Sequence, residues 1–170
     1  MDATKTEPRV YVGTYAKYNN GRNKGAWIDL IDKDQFYAEI KELHKDESDP
    51  EYMFQDFEGF PKGLYNECSI SDKLWDWLEL SEDDREIVAG YSENFCDFDF
   101  DFDDAMDAYC GSWCSFREYS DDYVESTDML GECSDTLTRY FDYEAFARDL
   151  EMDYFTAKTD NFEVMIFHNY

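Results

Sequence analysis

Short apolar and aromatic runs alternate with polar breaks along the first sixty residues, at the spacing of a small sheet with one helix. Arg9-Val10-Tyr11-Val12-Gly13-Thr14-Tyr15 is rich in β-branched and aromatic residues. Asn19-Asn20-Gly21 is a turn signal, and Gly25-Ala26-Trp27-Ile28-Asp29-Leu30 resumes as a strand, so a hairpin is predicted. Asp34 is placed to cap a helix running to about His44, with Phe36, Ile40 and Leu43 on one face at helical spacing. Asp49-Pro50 breaks that helix, and Tyr52-Met53-Phe54-Gln55-Asp56-Phe57 reads as another strand. The expectation is a small α+β lobe over residues 1–61.

Pro61 and Gly63 punctuate the chain at the end of that lobe. Ser71 precedes Leu74, Trp75, Trp77, Leu78 and Leu80, and Ser81 precedes Asp83, Asp84, Arg85 and Glu86, two N-cap signals in succession. A helical middle lobe is therefore expected over 62–103. Its last segment, Asp97-Phe98-Asp99-Phe100-Asp101-Phe102-Asp103, alternates with period two, which in an extended chain separates the Phe rings from the carboxylates. Ser115-Phe116-Arg117-Glu118 has the form of a capping box ahead of Tyr119, Tyr123 and Val124, and Asp142 stands before a helix over Tyr143 to Leu150. Tyr154-Phe155-Thr156-Ala157-Lys158 and Phe162-Glu163-Val164-Met165-Ile166-Phe167 flank a Thr159-Asp160-Asn161 turn as a terminal hairpin. The fold class expected is α+β, an elongated three-lobed chain whose C-terminal α+β lobe covers 104–170.

Charge changes this picture. The 170 residues carry 42 Asp plus Glu against 15 Lys plus Arg, a net charge of -27. Such a chain stays disordered when it lacks apolar surface to bury, but 19% of this one is aromatic, so it can fold. Mutual repulsion among the carboxylates favours an elongated body over a sphere. The acid is also uneven. Residues 1–30 are net positive, whereas Glu86 to Asp135 hold fifteen acidic residues and one basic residue, Arg117. Duplex DNA carries one negative charge per ~1.7 Å of axis, so 27 charges match roughly 46 Å of duplex, about 14 base pairs. A rod of that charge density competes for the phosphate-contacting surface of a basic, DNA-binding protein without offering any base edges.

Catalytic and metal chemistry finds little support. Read as a calcium loop from Asp97, position six is Phe102 and position twelve Ala108; from Asp99 they are Asp104 and Cys110. Neither register supplies the required Gly and Glu. Cys110 and Cys114 lack the second Cys or His pair of a zinc site, and the five cysteines form no paired framework, as expected of reduced thiols in the cytoplasm. His44 and His168 stand outside any nucleophilic constellation. No phosphate-binding glycine loop occurs, no run is long enough to span a bilayer, and direct nucleic-acid binding is opposed by the sign of the charge. The expectation is a non-enzymatic protein without cofactor or metal.

Four blocks carry a family resemblance. Arg9 to Gly21, Gly25-Ala26-Trp27, Asp49 to Glu58 and Tyr140 to Leu150 together resemble the ArdA family of antirestriction proteins, in the family's order and over most of the chain. The resemblance implies a protein of conjugative plasmids or transposons, a homodimer of elongated three-lobed subunits. It also implies mimicry of B-form DNA, by which the protein occupies the DNA-binding surface of type I restriction-modification enzymes, on their specificity and methyltransferase core. The family's antirestriction motif maps to the region from Leu130 to Arg148. There Leu137, Tyr140, Phe141, Tyr143, Phe146 and Leu150 recur at helical spacings, favouring core and dimer packing over direct target contact.

The expected mimic surface comprises Glu86, Glu93, Asp97, Asp99, Asp101, Asp103, Asp104, Asp107, Glu118, Asp121, Asp122, Glu125, Asp128, Glu132 and Asp135. The competing reading is an acidic chaperone that sequesters histone-like basic proteins.

Overall fold

Val10 and Val12 lose all solvent contact, and that burial organises the first sheet. The computed structural model describes residues 7–22, 24–95, 98–159 and 161–169. Strand β1 (Arg9–Thr14) is central, flanked antiparallel by β2 (Ala26–Asp29) and β3 (Tyr52–Glu58). The predicted pairing of the first two strands is present, but their link is not a tight turn. Thr14 leaves the strand and caps a one-turn helix, α1 (Tyr15–Asn19), its hydroxyl accepting from the Lys17 amide at 3.3 Å. Gly21, with φ of 66°, turns the chain back.

Helix α2 (Lys33–Leu43) covers the sheet with Phe36 and Ile40. Its cap is Asp32 rather than Asp34: Asp32 is extended and accepts from the Gln35 amide at 2.9 Å, while Asp34 already lies in the first turn. A two-residue hairpin, β4 (Tyr65–Asn66) with β5 (Ser69–Ile70), and helix α3 (Lys73–Glu79) complete this unit, which runs Met1–Leu80. Trp75 of α3 packs 5.6 Å from Phe36.

The second unit, Ser81–Tyr170, begins at α4 (Glu82–Ser92), where the Ser81 hydroxyl accepts from the Asp84 amide as the sequence predicts. The stretch 62–103 thus divides between the two units. The Asp-Phe run is not a strand. Phe98 and Phe100 are buried and Asp99 and Asp101 exposed, so the alternation of faces holds there, but Asp101 then caps helix α5 (Phe102–Ala108). Cys96 and Asp97 lie outside the described residues.

Strand β6 (Tyr109–Trp113) follows, then α6 (Phe116–Ser126), the short α7 (Asp135–Thr138), α8 (Tyr143–Leu150), β7 (Tyr154–Lys158) and β8 (Val164–His168). The terminal hairpin is present, and β6 adds to its other side to give the order β6-β8-β7. Gly111, with φ of 111°, takes the bulge where the β6 register slips. Ile166 and Phe167 are wholly buried, and Phe155 stacks on Phe167 at 5.0 Å. The architecture is α+β, with three small antiparallel sheets among the described residues.

Candidate functional site

The two units differ sharply in charge. Ser81–Tyr170 holds 25 acidic side chains against five basic ones, net -20, whereas Met1–Leu80 holds 17 against ten, net -7. The candidate site is the carboxylate surface of the second unit.

Helix starts explain how so much acid is tolerated. The first turn of α4 carries Glu82, Asp83 and Asp84, that of α5 carries Asp103 and Asp104, and that of α6 carries Glu118. Each sits where unsatisfied amides and the helix dipole favour negative charge, so local stabilisation offsets part of the mutual repulsion. Glu118 makes a shifted form of the predicted capping box, its carboxylate reaching the residue before the Ser115 cap rather than the cap itself. It receives the Cys114 amide at 3.0 Å, while its own amide donates to Ser115 at 3.2 Å.

Of the expected mimic carboxylates, Glu86, Glu93, Asp99, Asp101, Asp103, Asp104, Asp107, Glu118, Asp122, Glu125, Asp128, Glu132 and Asp135 are exposed. Asp97 lies outside the described residues. Asp121 is half-buried because Arg117 donates to it from Nε at 2.8 Å. That guanidinium also lies 4.0 Å from Glu144 and 5.8 Å from the centre of the Tyr143 ring, and Arg148 lies 3.7 Å from Asp149. Arg117 and Arg148 therefore face carboxylates of their own unit. Beside Arg117 runs a groove of about 680 Å³ lined by Asp121, Glu125, Asp128, Leu130, Thr138 and Tyr143.

The block from Leu130 to Leu150 separates into two parts. Phe141 packs against Tyr143 at 4.7 Å and Phe146 at 5.6 Å, and Phe146 faces Tyr123 of α6 at 6.4 Å. These rings join α8 to α6. By contrast Leu137 is 62% and Tyr140 82% exposed, apolar surface that this chain alone leaves in water. Leu130 and Leu150 are half-buried and Arg148 is exposed.

One constellation was not foreseen from sequence. His44 is fully buried in the first unit, and its ring nitrogen, Asp46 and Glu47 offer ligand atoms within 4.8 Å of one another, a spacing that could hold a metal. The place is already held by a cation. Lys17 Nζ lies 3.0 Å from His44 Nδ1, 2.7 Å from Asp46 and 3.2 Å from Glu47, so a divalent ion would have to displace an ammonium. Thr14 donates to Glu47 at 2.8 Å and fixes the remaining geometry. The sequence places His44, Asp46 and Glu47 in one short segment, but not beside Thr14 and Lys17, which β1 and α1 bring to it.

No helix among the described residues is long and apolar enough to cross a membrane. Comparison with protein families matches residues 10–163 to the family described as Antirestriction protein (ArdA). No curated protein matches the chain.

Proposed function

The chain belongs to the ArdA family of antirestriction proteins and so acts against restriction-modification enzymes; we propose that it does so by mimicking B-form DNA on the DNA-binding surface of type I enzymes. The observation that carries this reading is the segregation of charge. The second unit gathers a net of -20, equivalent to roughly 34 Å of duplex or about ten base pairs. Most of its candidate carboxylates are exposed, and two of its five cations, Arg117 and Arg148, lie beside acids of the same unit.

Inhibition on this reading is electrostatic and steric competition, with no bond made or broken. Lys and Arg side chains placed to contact phosphates meet carboxylates instead. Leu137 and Tyr140 form the patch that a second copy of the chain covers, giving a homodimer with twice the acidic length. The site of action is the cytoplasm, where restriction enzymes meet incoming DNA. Kinetics test the mechanism. Inhibition of a type I enzyme must be relieved by raising the duplex concentration; inhibition indifferent to duplex concentration would reject competition.

A further inference from the structure

The less acidic first unit carries a groove that charge mimicry leaves unused. It encloses about 790 Å³ and is lined by Tyr11, Tyr18, Trp27 and Tyr65 together with Asp56 and Glu67. The sheet builds it. Tyr11 of β1 stands opposite Trp27 on β2 and Asp56 on β3, and the two rings meet edge to face at 5.7 Å. An amide-carbonyl bond from Phe54 to Glu67, 2.9 Å, ties the β4–β5 hairpin to β3 and brings Tyr65 and Glu67 alongside. Tyr18, on α1, is 55% exposed.

Three features specify the occupant. Trp27 already receives a cation within the fold: the Arg9 guanidinium lies 4.8 Å from its ring centre, anchored to Glu58 at 2.6 Å. Asp56 and Glu67 are exposed and form no ion pair among the described residues. Their field reaches the groove, since the Tyr65 hydroxyl is pushed up first by burial and then by these two carboxylates. Aromatic faces beside carboxylates that have no cation partner among the described residues complement a planar cation with an apolar stem. A nucleic-acid strand could stack on the same rings, but its phosphates would meet Asp56 and Glu67.

We propose that this groove docks an arginine side chain of the basic protein that the acidic unit engages. This rests on the reading that the target is a DNA-binding protein, and it adds a second contact to that target.

The full-length protein, with Trp27 followed by the NMR signal of its indole N–H, is titrated with N-acetyl-arginine-N-methylamide and with the neutral citrulline analogue. The expected result is a saturable shift with the arginine probe and none with citrulline. The double variant Tyr18→Ala/Glu67→Gln, altered at two exposed positions, should weaken the arginine response by about two- to thirty-fold, the span of cation–π strengths from exposed to desolvated sites. Equal shifts from both probes, an undiminished response in the double variant, or a saturable response to oligothymidylate in place of arginine would overturn the proposal. The titration uses no restriction enzyme. A protein that competes with duplex yet ignores the arginine probe therefore loses only the groove, and one that binds the probe without competing loses only the mimicry.

Discussion

Lys17 Nζ donates to Nδ1 of His44 across 3.0 Å. An ammonium has no acceptor, so Nδ1 carries no proton and the buried ring is held in its neutral form. Burial first, and then the charge of Lys17, lower the His44 pKa below its ordinary value. The ring of the unfolded chain takes its proton as pH falls through about 6.5, while the folded one resists, so this site stabilises the fold above that pH and loses its contribution below it.

His44 should therefore titrate, by its ring C–H signals in NMR, with a midpoint below about 6.5. Lys17→Met removes a cation and leaves Asp46 and Glu47 beside the ring, so the midpoint should rise. An unchanged midpoint would show that the ammonium does not act on the imidazole.

Cys114 offers a second titration test. The neighbouring Glu118 carboxylate pushes its thiol pKa up. Only the thiolate is alkylated, so Glu118→Gln should speed the reaction of Cys114 with iodoacetamide near pH 8, with Cys68 and Cys133 as exposed internal controls. Equal acceleration at all three would indicate unfolding rather than a local charge effect.

Phe167 is wholly buried and touches Phe155, Tyr91 and Tyr109 at ring distances of 5.0, 5.5 and 5.6 Å. Phe167→Ala should cost about 3–5 kcal/mol of stability in urea unfolding. The loss should be large even though the residue is remote from the acidic surface, because it joins the three strands of the β6-β8-β7 sheet to α4.

The elements legible in sequence are those whose signals are local. Ser81, Ser115 and Asp142 cap the helices they were expected to cap, because each cap needs only an amide three residues on. The strand pairs β1–β2 and β7–β8 were legible from β-branched and aromatic runs. Strand β6 was not, since Tyr109-Cys110-Gly111-Ser112-Trp113 lacks such a run and becomes a strand through partners over fifty residues away, Tyr109 opposite Phe167. The Asp-Phe run showed which side chains face inward but not that Asp101 would start a helix. The acidic surface was legible as composition, whereas the Lys17–His44 network and the Tyr11–Trp27 groove depend on pairings that no local pattern contains.

Charge should be redundant on that surface. Asp103→Asn, Asp104→Asn, Asp107→Asn, Asp122→Asn or Glu125→Gln alone should weaken inhibition about twofold at most, and the five together roughly 10- to 30-fold, with increased thermal stability as repulsion falls. Loss of all inhibition from one of these changes would point to a single essential contact instead.

Displacement of labelled duplex from a purified type I enzyme, titrated with this protein at low and high salt, tests the central claim most directly. Mimicry predicts full displacement at low salt and a steep loss of apparent affinity as salt rises, because phosphate-binding side chains are the contacts being taken. Duplex that stays bound at saturating protein at both salts would contradict it.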